Sequence, residues 1–167
     1  MVDAGLFKDE RVELIRGTIL QMSPQKPAHA VVVQILTRIL MPALVGRADV
    51  RVQLPFAAGD DSMPEPDLAV VAVAHFGEPH PDRAFLIVEV AESSIEDDRI
   101  EKTKIYAAAR VPEYWVVNIP DRVIEVRSEP SGRAYAIVTP HRAGQKIAVA
   151  AFPDVVVDVA DLFDTRA

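Results

Sequence analysis

Two apolar runs, Leu68 to Ala74 and Ala84 to Ala91, constrain this chain most. Neither alternates with polar residues, as a strand with one wet face would. Each therefore predicts a short strand covered on both sides, and so a sheet with layers on both faces. Each run also carries one acid: Asp67 stands at the mouth of the first, after Pro64-Glu65-Pro66, and Glu89 lies inside the second. A carboxylate at such a position is costly to desolvate and must be solvated, paired or bound to a metal.

The flanking segments predict a mixed sheet with few helices. Val12 to Met22 reads as strand with a turn at Gly17, and Ser23-Pro24-Gln25-Lys26-Pro27 breaks it. Ala28 to Leu40 reads as a helix, because Val32, Ile35, Leu36, Ile39 and Leu40 recur at spacings of three and four; Pro42 stands near its end. Val50 to Leu54 alternates as a strand. Ser93 or Ser94 can N-cap a second helix running to about Arg110. Glu113 to Asn118 is a strand, Arg122 to Ser128 and Ala134 to Thr139 a hairpin turning at Pro130-Ser131-Gly132. Val155 to Val157 reads as a short strand and Val159 to Phe163 as a last helical turn. This order is not a regular βαβ alternation and fits a compact α/β sandwich. At 167 residues, residues 1–167 are expected to form one domain.

Composition excludes several chemistries. With no cysteine there is no disulfide, thiolate metal site or cysteine nucleophile. There is no glycine-rich phosphate loop and no Gly-x-Ser-x-Gly elbow. The start, Met1 to Gly5, lacks the pattern of a signal peptide, and no apolar stretch is expected to reach bilayer-spanning length. A cytoplasmic protein without a membrane partner is the expectation. A net charge of −7 argues against holding nucleic acid by general electrostatics alone. It does not exclude a nuclease, because acids that bind Mg²⁺ add to the count and bound metal reverses the local field.

Lys102 completes the candidate site. On the second helix it shares a face with Asp98 and Tyr106, each four residues away, whereas Lys104 points elsewhere. Two carboxylates and a lysine suit metal-assisted phosphodiester hydrolysis. Carboxylates hold the ion, the ion acidifies water and offsets charge on phosphate, and a lysine orients the water or stabilises the pentavalent state. The bland alternatives are a solvated strand-start Asp67, an arginine-paired Glu89 and a surface Asp98–Lys102 pair. In the PD-(D/E)XK nucleases the lysine stands two residues after the second acid. Ala91 occupies that place here, so Lys102 must reach in from the helix.

The segments Glu13-Leu14-Ile15-Arg16-Gly17, the helix opening with His29, Pro64 to Asp67, Val88 to Ser94, Asp98 to Lys102 with Tyr106, and Val111-Pro112-Glu113-Tyr114-Trp115-Val116-Val117 occur in this order. Together they resemble the Uma-two family, of the PD-(D/E)XK restriction-endonuclease-like superfamily, over roughly residues 12 to 128. The resemblance implies a mixed β-sheet core flanked by helices and a Mg²⁺- or Mn²⁺-dependent endonuclease acting on DNA. Asp67, Glu89 and the Val90 carbonyl would be metal ligands, Lys102 the relocated catalytic lysine, and Glu13 a further ligand or water contact. Asn118 stands where relatives often carry aspartate. A symmetric homodimer would suit cutting both strands. The rival expectations are an inactive binding or assembly module of the same fold, and a metal-dependent phosphoesterase acting on RNA.

Weaker candidates remain. His29 reads as a capping or packing residue, with a substrate contact as the alternative. His75, Glu78 and His80 have ligand chemistry in a Pro-rich loop. Tyr106, Tyr114 and Trp115 read as core or interface aromatics.

Overall fold

The computed structural model describes residues 11–22, 24–75, 77–92 and 96–164. Its centre is a six-stranded sheet in the order β3 (Asp49–Val52), β4 (Leu68–Val71), β5 (Leu86–Ala91), β6 (Glu113–Asn118), β7 (Val123–Ser131) and β8 (Ala134–His141). All neighbours pair antiparallel except β5 and β6, which are parallel. A parallel pair needs a long crossover, and α2 (Glu96–Ala108) supplies it. Both apolar runs are central strands, and every residue of β4 is buried.

Alternation along β5 feeds two cores. Leu86, Val88 and Val90 pack with α1 (Pro27–Leu44), with the antiparallel hairpin of β9 (Lys146–Val149) and β10 (Phe152–Asp158), and with α3 (Val159–Phe163). Ile87 points to the opposite face, into a cluster with Ile105, Tyr106 and Ala107 of α2 and Ile15 of β1 (Val12–Ile15). β1 pairs with β2 (Thr18–Gln21) through a two-residue turn, Arg16-Gly17, with φ of 48° and 74°. In that second cluster the Tyr106 and Tyr114 rings meet edge-on, centroids 5.1 Å apart, a geometry aromatic quadrupoles favour.

Several boundaries differ from those expected. α1 runs to Leu44, with Pro42 inside it. The proline forfeits one amide bond in the last turn, while Leu40 and Leu44, both fully buried, hold that turn on the sheet. The extension also corrects the expectation about spanning length. Pro27–Leu44 has 18 residues and a mean hydropathy of 1.4, long and apolar enough to cross a bilayer by composition. Its stripe of Val32, Val33, Leu36, Leu40 and Leu44 instead packs into the core. β3 stops at Val52 because Gln53 turns left-handed, φ 52°. β4 ends at Val71, paired with the first residue of β3. β5 begins at Leu86, and α2 ends at Ala108, short of Arg110. β9 adds a strand to those expected, and the Val155–Val157 segment lies within its partner β10. Met1 to Gly5, Ser93 and Ser94 lie outside the described residues.

Glu113 shows why the β9–β10 hairpin docks where it does. It is 3% exposed, and its two oxygens accept from Trp115 Nε1 and Ala150 N, each at 2.8 Å. Burial raises its carboxyl pKa, and those two bonds oppose the rise.

Candidate active site

Strand register brings the two acids together. The β4–β5 ladder ends at the pair Leu68 and Val88. One step further Asp67 stands opposite Glu89, and opposed side chains share a face of the sheet. That face is the one covered by α2. Just past the ladder's end the Val90 amide donates to Asp67 Oδ2 at 2.8 Å. Gln53 Nε2 reaches Asp67 Oδ1 at 3.3 Å, and the Gln53 amide donates to the Asp67 carbonyl at 3.2 Å. Asp67 is thus 7% exposed yet accepts bonds at both oxygens.

α2 delivers Lys102 to the same place. Its Nζ lies 3.4 Å from Glu89 Oε1 and 3.5 Å from Glu13 Oε2, and the residue is 8% exposed. One turn later Tyr106 donates its hydroxyl to Glu89 Oε1 at 2.7 Å. The helix face read from the i, i+4 spacing therefore points inward, and Lys104 points away, pairing with Glu101 at 2.7 Å. Glu13, buried on β1, also accepts from the Glu65 amide at 3.4 Å.

Electrostatics mark Glu89 as the unusual member. Burial drives its carboxyl from 4.5 to about 7. The Lys102 charge and the Tyr106 hydrogen bond oppose this, while the charges of Asp67 and Glu13 add to it. Burial likewise raises the Tyr106 phenol well above its usual value, with the Glu89 charge adding, so it stays a donor. Glu89 is not sealed off; its side chain is 13% exposed.

The oxygen donors fit a hard divalent cation. Asp67, Glu89 and Glu13 present carboxylates of the type Mg²⁺ and Mn²⁺ prefer. Glu89 and Glu13 share the Lys102 cation, and Asp67 stands opposite Glu89 across the β4–β5 pair. Among the described residues no three His, Asp or Glu side chains already stand in metal-holding geometry.

His29 belongs to the site in a way the capping or packing reading missed. Its Nε2 lies 3.0 Å from Asp67 Oδ2, and its amide donates to Glu92 Oε1 at 3.0 Å. The Asp67 hydrogen bond raises the imidazole pKa against partial burial. Gln53 and the Val90 amide are further partners of Asp67 that sequence reasoning missed. Nothing local announces them, because they meet Asp67 only through register. Tyr106 is signalled by its spacing from Lys102, although its ring alone reads as core. The remaining candidates stand apart. Glu78 accepts from the His75 amide and His80 faces Arg51, so the three form no metal-holding group among the described residues. Asn118 bonds Asp121 in the β6–β7 turn.

A mostly antiparallel sheet flanked by helices, with buried acids and a lysine on one face, defines a restriction-endonuclease-like α/β protein. A crystal structure described as "a putative nuclease belonging to DUF820 from Anabaena variabilis ATCC 29413" has this fold: TM-score 0.66 and 16% identity, covering 93% of this chain and 90% of that one. The family model Uma2, described as "Putative restriction endonuclease", matches residues 6–160. The chain belongs to that family, which places it among nuclease-type hydrolases. No curated protein matches its sequence.

Proposed function

We propose that this protein is a divalent-metal-dependent endonuclease that hydrolyses DNA phosphodiester bonds. The observation that carries this reading is the burial of Lys102 between Glu13 and Glu89, with Asp67 opposite Glu89 across the strand pair, in a chain of nuclease family. Asp67 and Glu89, with the Val90 carbonyl, would hold Mg²⁺ or Mn²⁺. Once bound, the ion supplies an acidified water and offsets charge on the scissile phosphate. Lys102 then faces the reacting atoms, oriented by Glu13, and stabilises charge that builds on the phosphoryl oxygens. Tyr106 keeps the Glu89 carboxylate turned toward the shared face. His29, Gln53 and the Val90 amide fix the orientation of Asp67. A cytoplasmic homodimer built from a single-domain chain would present two such sites to the two strands.

The same geometry favours a second reading in one respect. Asp67 is already satisfied by hydrogen bonds, and Lys102 already pairs with both glutamates, so the cluster stands without an ion. A binding module of nuclease fold would look like this. Cleavage of supercoiled DNA, single-stranded DNA and RNA with Mg²⁺ or Mn²⁺ separates the two, with wild type beside Asp67→Ala. The endonuclease reading expects nicking or linearisation by wild type, lost with chelator and in the variant. Equal cleavage by both proteins, or none on any substrate, contradicts it; RNA cleavage alone supports the phosphoesterase alternative.

A further inference from the structure

We infer that a cleft beside the acid cluster, between the β1–β2 turn, α2 and the β7–β8 turn, binds a backbone phosphate of a nucleic-acid strand. The inference rests on the nuclease reading for the choice of ligand. The cleft has a volume of about 280 Å³, and Arg16, Lys104 and Arg133 line it together with Asp61. Glu101 bridges two of these cations, Arg16 at 2.9 Å and Lys104 at 2.7 Å. Three cations thus meet two carboxylates, a local positive excess on a chain whose net charge is −7.

The position of the cleft follows from the elements that build the acid site. β1 and α2 are joined by two rungs: Glu13 to Lys102 on the inside, and Arg16 to Glu101 on the outside. Glu101 and Lys102 are consecutive on α2, so the cleft lies directly next to the acid site. A strand with one phosphodiester at Lys102 would lay a neighbouring phosphate at this cleft.

Arg16 is held at the edge of this cleft by its backbone partners. It occupies the first central position of a two-residue hairpin turn with φ 48°, where glycine, asparagine or aspartate is favoured and arginine is not. The fold holds it there: its amide donates to Ser62 Oγ at 3.0 Å, and the Gly17 amide to the Asp61 carbonyl at 2.7 Å. Ser62 is 2% exposed and anchors the floor by bonding Asp61. The held turn presents the Arg16 guanidinium at the cleft, and a guanidinium suits forked recognition of phosphate oxygens.

The test uses the full chain with its turn preserved. Arg16→Asn keeps a residue suited to the left-handed position, Lys104→Gln keeps helix propensity, and Arg133→Ser lies in an exposed turn. Anisotropy of labelled single-stranded DNA and RNA of one sequence, in chelator across a salt series, reads the cleft without cleavage. The combined variant is expected to bind both strands at least about tenfold more weakly at low salt. Its log-affinity against log-salt slope should fall by about 0.7 for each phosphate that the variant no longer neutralises. Weaker binding to one strand type only would identify the source of the phosphate. Unchanged affinity and slope in the combined variant and in Arg133→Ser, or no binding by wild type, overturns the inference. The two readings fail separately: binding through the cleft without metal-dependent cleavage sinks the nuclease reading alone, and cleavage with affinity blind to the variants sinks the cleft alone.

Discussion

Lys102→Met is expected to lower single-turnover cleavage by about 10²–10³-fold, the range seen when a preorganised group facing developing negative charge is removed. It should also destabilise the protein in a pH-dependent way. Methionine fills similar volume but leaves Glu13 and Glu89 facing each other without their shared cation. Removing one partner of a buried ion pair typically costs about 3–5 kcal/mol. The charge of Lys102 lowers the pKa of Glu89, so its loss pushes that carboxyl above about 7. The folded state then holds its proton more tightly than the unfolded state, and stability falls as pH rises. Urea unfolding should therefore show a larger deficit at pH 8 than at pH 5. Near-wild-type cleavage in a folded Lys102→Met protein would remove the lysine from the chemistry.

Glu89→Gln should separate stability from activity. In wild type without metal, the Glu89 pKa is about 7 folded against 4.5 as the ordinary value. A raised carboxyl contributes stability that is fully present below about 4.5 and is lost as pH climbs through about 7. Glutamine mimics the protonated acid at every pH. The metal-free variant should lack this decline, so its stability relative to wild type should rise by about 3 kcal/mol between pH 4 and pH 8. Cleavage should fall about 10³-fold, since losing about 4 kcal/mol of transition-state stabilisation costs that factor. Mg²⁺ should raise the melting temperature of wild type more at pH 8 than at pH 6, because binding must displace the Glu89 proton, and should do little to the variant. A wild type and variant with parallel pH–stability curves would show that Glu89 ionises normally.

The parts of this site legible in the sequence are those whose signal is local. An acid at the mouth of one apolar run marks Asp67 and an acid inside another marks Glu89, because a carboxylate there is costly to desolvate. The same runs announce β4 and β5 as central strands, and the helix after β5 is announced by the N-capping serines before it. Lys102 is legible only as a helix face shared with Tyr106; that the face points inward depends on packing of Ile105 and Tyr106 on the sheet. The place of Glu13 comes from family resemblance, since four residues of β1 carry no sign of what they face. His29 and Gln53 lie 38 and 14 residues from Asp67 and meet it through tertiary register, which no local pattern encodes. Propensity misleads at Pro42, where core packing outweighs a missing hydrogen bond, and at Gln53, where a left-handed residue cuts a plausible strand short.

An ion held by Asp67 and Glu89 beside Lys102 is what the proposed chemistry requires above all. Crystals grown or soaked with Mn²⁺ at pH 8, measured at a wavelength where manganese scatters anomalously, answer this directly. The prediction is a single strong anomalous peak with carboxylate oxygens of both Asp67 and Glu89 at about 2.0–2.6 Å, and Lys102 Nζ facing its water shell. A protein saturated with Mn²⁺ that shows no peak there, with Asp67 still bonded to His29, Gln53 and Val90, would contradict it.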